Sequence, residues 1–461
     1  MRKLIIASLA VAAAFSSVAL ADDLGQMRAE MREMNLRLKQ QAETIRNLTV
    51  SQNSAEASKI QKAEMAKMMK NILDDAKLQP AMPKWMKNLK FFGDFRLRYQ
   101  HDSRGWRRGG WPGTVRKDRN RARFRLRFGF EKTWWDKQLA VIFRLASGSS
   151  DDSDSTNQSF DSSFSKKHVW IDLAYARYKP KWAKGLTITG GKMKNPIRTK
   201  TPMTWDSDIN PEGFAVDYVA PFFGDFKPYA QVGYWILEES NRSATDPQGD
   251  TCRDATMWNY SLGFNWKLAK DVKWFFGTTF YDYNHFDVVG ANGGSGVDGQ
   301  WLTQSGYGNA EMKILEMTTK VKWKMFDLPF AAWFSWAHNC GDNYPNQNKN
   351  PNADREFEDK NNAFGAGIKV GKNKKKGDWS FGYTYLYEEI NSLPTLSGGF
   401  GLGDSDFGGP NRKGHIIGGK YNIDDFLTLG GKVFITDPIH VPWPDQQDHT
   451  VTVQVDMVWK F

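Results

Sequence analysis

Cysteine is scarce in this sequence, and its scarcity excludes several kinds of protein. Only Cys252 and Cys340 occur among 461 residues, which is too few for a small domain stabilised by disulfides. In an oxidising compartment these two residues could form a single bridge. The seven histidines show no spacing typical of a zinc site. We therefore expect one disulfide at most, and neither a metal ion nor a cofactor.

Long apolar runs are also absent, apart from the N-terminus. After residue 21 no stretch of 18 apolar residues occurs, so we expect no transmembrane helix. At the N-terminus, Arg2 and Lys3 precede an apolar run that ends in Ala19-Leu20-Ala21. This order predicts a secretory signal peptide over residues 1–21; a membrane anchor is the alternative. The formal charge of +11 suits an anionic partner, but we expect no nucleic acid partner for an exported protein.

Residues 22–79 show a helical pattern with a narrow apolar stripe. Eight positions follow one another at intervals of three and four residues, and seven of them are apolar: Leu24, Met27, Met31, Met34, Leu38, Ile45 and Leu48, with Gln41 as the exception. This heptad spacing predicts a coiled-coil helix, which we place in the periplasm and which ends before Pro80. A single amphipathic helix packed on a domain is the alternative. Residues 80–88 are then a linker.

From Leu89 onward the apolar period changes to two residues. In the stretch RNRARFRLRFGF, residues 119–130, five arginines alternate with Ala122, Phe124, Leu126 and Phe128. Such alternation is typical of a strand with one apolar and one polar face. Sixteen segments of this kind occur, and the apolar face of the fourth is formed by Val169, Ile171, Leu173 and Tyr175. The fifth, sixth and fourteenth segments, around residues 186, 214 and 417, are the least regular.

The connections between these segments alternate between short and long. Seven are short, such as MFD and NIDD, and eight are long and polar. Tryptophans lie near the ends of the segments, at positions 134, 135, 182, 274, 323 and 379. These features predict an all-β fold over residues 89–461, a 16-stranded antiparallel transmembrane β-barrel that follows the α-helical coiled-coil segment. A soluble β-sandwich, which also alternates, is the alternative.

Several stretches also resemble known proteins. The terminal segment TVTVQVDMVWKF resembles the C-terminal signal by which bacterial outer-membrane proteins are recognised for assembly. Four stretches within residues 117–213 resemble the putative-porin family of Gram-negative bacteria: KDRNRARFRLRFGFE, FSKKHVWIDLAYARY, LTITGGKMKNP and WDSDINPEG. The resemblance implies a channel in the outer membrane, not an enzyme, and a homotrimer. The coiled coil is not part of the general porin pattern.

A barrel of sixteen strands is wide enough to hold an aqueous channel, so the polar faces of the strands are expected to line a pore. Bases outnumber acids on these faces. The predicted lining residues are Arg96, Arg98, Arg121, Arg123, Arg125, Arg127, Arg144, Lys320, Lys322, Lys324, Glu131 and Asp172. A cationic wall concentrates anions and repels cations. We predict a porin for small hydrophilic solutes that prefers anions; a mixed lumen, in which acids neutralise the arginines, is the alternative.

The third long connection, residues 195–212, follows the fifth strand. In general porins the loop at this place folds into the lumen, so the resemblance implies that this one narrows the channel. Its charged and aromatic residues are Arg198, Lys200, Trp205, Asp206 and Asp208. Opposed acids and bases at such a constriction would create a transverse field that orients polar solutes.

Two other classes of function stay open. A barrel enzyme would need a Ser–His–acid or paired-acid site, and sequence spacing does not exclude one that forms in space. A structural tether would use the barrel as an anchor and the coiled coil as a contact to the cell wall. The expected partners are therefore outer-membrane lipid, small hydrophilic or anionic solutes, further copies of the chain and, through the coiled coil, the cell wall.

Overall fold

The computed structural model describes residues 86–104, 118–149, 154–239, 254–284, 302–303, 312–341, 359–396, 400–401, 403–404, 406–440 and 449–461, with six more between 32 and 40. The chain divides into two compact units, Met1–Lys87 and Asn88–Phe461. The six described residues between 32 and 40 are helical, and Arg37 donates a hydrogen bond of 2.7 Å to Glu33. The predicted signal peptide and most of the predicted coiled coil and linker lie outside the described residues. Within the described ranges, no helix has the length and hydropathy to cross a membrane.

In the described part of the second unit, sixteen strands form one antiparallel sheet in which each strand pairs with the next. The first also pairs with the last, so the sheet is a closed barrel. The strands are β1 Leu89–Arg104, β2 Arg119–Trp134, β3 Leu139–Ser147, β4 Val169–Tyr178, β5 Leu186–Lys192, β6 Glu212–Val219, β7 Phe226–Glu238, β8 Ala255–Ala269, β9 Val272–Asn284, β10 Lys313–Met325, β11 Leu328–Asn339, β12 Asn362–Gly371, β13 Trp379–Glu388, β14 Arg412–Asn422, β15 Leu427–Pro438 and β16 Thr450–Lys460. The predicted fold class is confirmed, and so are β5, β6 and β14, the least regular segments of the sequence.

Four further strands have two residues each. Gln158–Ser159 extends the sheet beside β2. Leu302–Thr303, Thr395–Leu396 and Phe400–Gly401 form a small separate sheet.

The connections between the sixteen strands alternate in length as predicted. Seven have two to seven residues and eight have eleven or more. Because neighbouring strands are antiparallel, all the short connections lie at one end of the barrel, which we call the short-turn end. Two of them have only two residues, 270–271 and 326–327. In the second, Phe326 and Asp327 both have positive φ, 51° and 61°, as a type I′ hairpin turn requires.

Alternate side chains of each strand face opposite sides of the barrel wall. In β2, Arg123 and Arg125 are 6% and 8% exposed, whereas Leu126 and Phe128 are 42% and 45% exposed. The cations are therefore buried inside and the apolar side chains lie on the outer surface, the reverse of a water-soluble protein. An apolar outer surface with all strand edges paired is what a bilayer accepts, because hydrocarbon offers no partner to backbone groups.

The predicted apolar face of β4 is wrong for half of the strand. Val169 and Ile171 are exposed as predicted, but Leu173 is 3% exposed and lies inside the barrel. The register against β3 shifts just after Arg144, a β-bulge that turns the following side chains of β4 to the other face. Asp172, at the bulge, is buried as well and is ion-paired with Arg144. The bulge therefore brings both a carboxylate and an apolar side chain into the interior.

The pairing of β1 with β16 closes the barrel. At the end of this seam the Gly93 amide donates to the Phe461 carbonyl at 2.9 Å, and the Phe461 amide donates to the Gly93 carbonyl at 3.2 Å. The Phe461 ring covers Gly93 closely. A β-carbon at position 93 would lie 2.5 Å from Cε2 of this ring and 2.5 Å from the Arg127 carbonyl oxygen. Only glycine therefore leaves room for the terminal aromatic ring at the seam.

We expect Gly93→Ala to lower the free energy of unfolding by about 1–3 kcal/mol, since overpacking against a fixed backbone oxygen strains the seam. Gly431→Ala is the matched control: position 431 also faces outward on a strand, and a β-carbon there would be 3.9 Å from its nearest neighbour. Urea unfolding of the two refolded variants in detergent measures the difference. Equal stability of the variants would contradict the assigned role of Gly93.

Candidate functional site in the barrel interior

All twelve residues predicted to line a pore lie on the inner face of β1, β2, β3, β4 or β10. Their surroundings differ between the two sides of the barrel. The arginines of β1 and β2 are deeply placed among acids and amides, whereas Lys322 and Lys324 of β10 are exposed near the short-turn end.

The arginine wall consists of the inward arginines of β1 and β2: Arg96, Arg98, Arg121, Arg123, Arg125 and Arg127. Arg98 donates from Nε and Nη2 to the two carboxylate oxygens of Asp456, at 2.7 and 2.9 Å. Arg125 and Arg127 share Asp94, each with an ion pair of 2.7 Å. Such charge-assisted, bidentate contacts hold a guanidinium in one orientation.

The other members of the arginine wall also have polar partners. Arg121 is ion-paired with Asp102 at 2.9 Å. Arg96 donates to the side-chain oxygen of Asn157, and Arg123 donates to the Asn157 carbonyl at 3.2 Å. Asn157 belongs to the second long connection, which therefore also reaches the interior. On this side of the barrel acids and amides compensate the arginines, as the mixed-lumen alternative expects.

The third long connection, residues 193–211 between β5 and β6, crosses the barrel interior. Near its end, Asp208 forms ion pairs with Arg127 at 3.2 Å and with Arg125 at 3.8 Å, both on β2. Earlier in the connection, Thr199 donates a hydrogen bond of 2.9 Å to Glu316 on β10. β2 and β10 are eight strands apart in a ring of sixteen, and so lie on opposite sides. Residues 199–208 therefore extend across the full width of the lumen; we call them the crossing segment.

Glu316 anchors the crossing segment to the far wall. Its carboxylate is fully buried. Besides the Thr199 hydroxyl, it accepts hydrogen bonds from Thr204 at 3.1 Å, Tyr281 at 2.6 Å and Ser335 at 3.1 Å. The Thr318 hydroxyl donates as well, at 3.3 Å. Five hydroxyl donors around one carboxylate satisfy it without a cation, and two of them belong to the crossing segment.

Two of the predicted constriction residues, Arg198 and Lys200, lie where the connection meets β10. Lys320 donates to the backbone carbonyls of Arg198 at 3.0 Å and Lys200 at 2.9 Å. The Arg198 guanidinium is ion-paired with Asp217 and lies over the Tyr229 ring, 4.9 Å from its centroid. The ammonium group of Lys320 on β10 thereby holds the backbone of the connection in place.

Lys200 has an unusual electrostatic environment. Its ammonium group donates to a backbone carbonyl. Burial, together with the nearby charges of Lys194, Lys320 and Arg198, lowers the pKa of Lys200 to about 8. The charge of this side chain therefore changes within the range of pH in which a channel can be studied.

The remaining predicted constriction residues, Trp205, Asp206 and Asp208, belong to the second half of the crossing segment. Trp205 is 7% exposed, and its indole nitrogen donates to the Tyr281 hydroxyl at 3.2 Å. Asp206 accepts the Asp208 amide at 2.7 Å. Burial and the neighbouring carboxylates of Asp404 and Asp208 raise the pKa of Asp206. The pKa of Asp208 is lowered, because Arg125 and Arg127 outweigh its burial.

A second connection, the described residues 403–404 and 406–411 before β14, packs against the crossing segment. The Asp404 amide donates to the Pro202 carbonyl at 2.7 Å, and its carboxylate is ion-paired with Lys432 at 2.5 Å. Asp406 accepts from Gln454 at 2.6 Å and lies 3.7 Å from Arg98. This connection supplies further acids to the interior, and no pattern in the sequence predicts them there.

Between the crossing segment and the short-turn end lies a cavity of about 1290 Å³, which we call the vestibule. Its lining contains four acids and thirteen bases. Six inward lysines have no ion pair to any carboxylate of the described chain: Lys267, Lys273, Lys322, Lys369, Lys420 and Lys460. A second cavity of about 630 Å³ lies beside it and shares Lys273 and Lys322 with it.

The other expected site residues are Glu131, Lys324 and the two cysteines. Glu131 contacts Arg177 at 2.8 Å, and Lys324 is ion-paired with Asp327 at 2.9 Å. Cys340 is an exposed free thiol, whereas Cys252 lies outside the described residues, so their disulfide stays a prediction. Over the described residues, no group of three or more His, Cys, Asp or Glu side chains could hold a metal ion.

Solved structures of bacterial porins are similar to this chain in outline. Pseudomonas putida OprB is 11% identical, with 81% of this chain and 94% of OprB covered and a TM-score of 0.48. Salmonella typhi OmpF is 12% identical, with 81% and 97% covered and a TM-score of 0.46. Rhodopseudomonas blastica porin is 9% identical, with 81% and 100% covered and a TM-score of 0.39.

Comparison at the level of sequence gives a more definite result. No curated protein matches the chain. A family model described as putative porin matches residues 111–295 and 298–461. Because this match covers more than half of the sequence, the chain belongs to the putative-porin family.

Proposed function

We propose that this protein is an outer-membrane porin through which small hydrophilic solutes diffuse, with a preference for anions. Its family and its closed sixteen-stranded barrel support an outer-membrane channel for solute diffusion. A barrel of this size leaves room for water inside. The homotrimer, and the periplasmic position of the helix in residues 22–79, stay predictions.

The observation that carries the anion preference is the set of six unpaired lysines at the short-turn end. The arginine wall contributes little free charge, because carboxylates from β1, β16 and the crossing segment form ion pairs with its guanidiniums. The lysines, in contrast, face the vestibule or, in the case of Lys267, the neighbouring cavity, without a carboxylate partner in the described chain. Uncompensated charge in a confined channel determines which ions concentrate there. The selectivity is therefore assigned to lysines rather than to the arginines that dominate the sequence pattern.

We also propose that the crossing segment is the constriction of the channel. It is held at both ends and so divides the interior: Asp208 is ion-paired with Arg127 of β2, and Thr199 donates a hydrogen bond to Glu316 of β10. Solutes would pass between this segment and the strands on either side. Its acids and bases lie on opposite sides of the lumen, because Asp208 faces the arginine wall while Lys200 lies beside Lys320. This arrangement supports a transverse field at the narrowest point.

Neutralising three vestibule lysines tests the anion preference. In the triple variant Lys369→Gln, Lys420→Gln, Lys460→Gln we expect the chloride-to-potassium permeability ratio to fall roughly twofold or more, since three positive charges leave a confined space. The measurement is the reversal potential across a KCl gradient in planar bilayers. The control triple variant Lys179→Gln, Lys181→Gln, Lys184→Gln removes as many charges from the short connection 179–185 and should leave the ratio unchanged. A cation preference of the unmodified channel would refute the proposal.

Removing the crossing segment tests the constriction. Deletion of residues 199–207 should roughly double the single-channel conductance, because the segment no longer divides the lumen. Glu316 keeps Tyr281 and Ser335 as donors, so its carboxylate stays satisfied. The control removes nine residues from another long connection, 239–254. If the conductance of the 199–207 deletion equals that of the control, the segment is not the constriction.

The pKa of Lys200 makes the selectivity dependent on pH. This side chain is charged below about pH 8 and neutral above it, so we expect the anion preference to fall as the pH rises from 7 to 9. In Lys200→Gln the preference should be lower at pH 7 and should change less with pH. Superimposable pH profiles of the reversal potential for the two proteins would exclude a role of Lys200.

A further inference from the structure

Three lysines on adjacent strands face each other directly across the sheet. Lys267 on β8 is paired in register with Lys273 on β9, and Lys273 is paired with Lys322 on β10. We call these three residues the lysine row. Like charges placed directly opposite each other on neighbouring strands destabilise a sheet. The row therefore lowers the stability of this part of the wall unless something else compensates its charge.

The chain does not compensate this charge with its own acids. No carboxylate of the described residues lies within ion-pair distance of Lys267, Lys273 or Lys322. On β1 and β2 of the same barrel, in contrast, clustered cations have an acid beside them: Asp94 lies between Arg125 and Arg127. The contrast points to a ligand as the missing counter-charge of the lysine row.

More positive charge lies next to the row. Lys320, two residues before Lys322 on the same face of β10, donates to loop carbonyls, and Lys200 lies beside it. Asp225 and Asp271 occur in the linings of the two neighbouring cavities, but neither is within ion-pair distance of the row. A solute that enters this region therefore meets ammonium groups from three strands and the loop.

Access to the row is open from two directions. Lys273 and Lys322 line both the vestibule of about 1290 Å³ and the neighbouring cavity of about 630 Å³. Adjacent strands are about 4.8 Å apart, so the three backbone positions extend over roughly 10 Å. Ammonium groups on flexible stems act as mobile point charges and do not demand the geometry that a guanidinium fork demands. The volume of the cavities, the spacing of the three lysines and the flexibility of their ammonium groups suit a compact anion that carries two or more charges.

We propose that the lysine row is a binding site for small multivalent anions, such as phosphorylated or polycarboxylated solutes, and that these solutes saturate the channel. This inference rests on the proposed porin function and adds a site to it. A monovalent anion such as chloride compensates one lysine at a time and passes through. A multivalent anion contacts two or three lysines together, relieves their repulsion and stays longer.

Pyrophosphate, without divalent cations, is the probe. In planar bilayers with KCl, we expect it to reduce the chloride current of the unmodified protein with a saturable concentration dependence. In Lys273→Gln with Lys322→Gln, the half-blocking concentration should rise about tenfold or more. The matched control, Lys181→Gln with Lys184→Gln, removes two lysines from the exposed connection 179–185 and should block like the unmodified protein. A block that does not saturate, or that is equal in all three proteins, overturns the proposed site.

A second readout does not depend on conductance. In detergent, pyrophosphate should raise the thermal unfolding temperature of the unmodified protein and of the control, because a ligand that binds only the folded state stabilises it. The Lys273→Gln, Lys322→Gln variant should show no such rise. If the unmodified channel shows no anion preference but pyrophosphate still raises its unfolding temperature, the proposed selectivity is refuted and the proposed binding site is not. An anion-preferring channel without a thermal shift or saturable block would refute the site alone.

Discussion

Backbone groups that cross a bilayer must pair with other backbone groups, because hydrocarbon offers them no partner. A sheet meets this requirement only when its first and last strands join, as β1 and β16 do here. With sixteen strands the closed sheet encloses a space that strand side chains alone do not fill. The apolar side chains therefore belong outside, and the interior is left to charges, hydroxyls and loops. The organisation of this protein follows from that one requirement.

The charges inside the barrel are compensated in one region and left uncompensated in another. On β1 and β2, guanidiniums are fixed by shared carboxylates, including Asp94 from the strand and Asp208 from the crossing segment. Removing one partner of a buried ion pair typically costs about 3–5 kcal/mol, so these arginines contribute to structure. On β8, β9, β10, β12, β14 and β16, six lysines face the vestibule or the neighbouring cavity without carboxylate partners among the described residues. Their charge is available to solutes, and for this reason the proposed anion preference is assigned to the lysines.

The strands could be predicted from the sequence because an alternating pattern reports a local property, the two environments on either side of a wall. Even the weak segments around residues 186, 214 and 417 are strands in the barrel. The reversal of face at Leu173 could not be predicted, because it depends on a bulge against β3. The inward position of the arginines was predictable as well. Their neutralisation was not, since Asp208 lies 81 residues from Arg127 and Asp456 lies 358 residues from Arg98. Which acid meets which base is decided by loops that cross the lumen, and no periodicity encodes that path.

The crossing segment also has a mechanical consequence. A ring of strands resists stretching along its hydrogen bonds but bends easily, so lateral pressure in a membrane tends to flatten a wide barrel into an ellipse. Here Asp208 is held by Arg125 and Arg127 on one side, and Thr199 and Thr204 are held by Glu316 on the side directly opposite. The segment is therefore a strut along a diameter, fixed at both ends by buried charged groups. The cross-section of this barrel is then determined by the length of the stretch 204–208, which joins the two anchors, as well as by the number of strands.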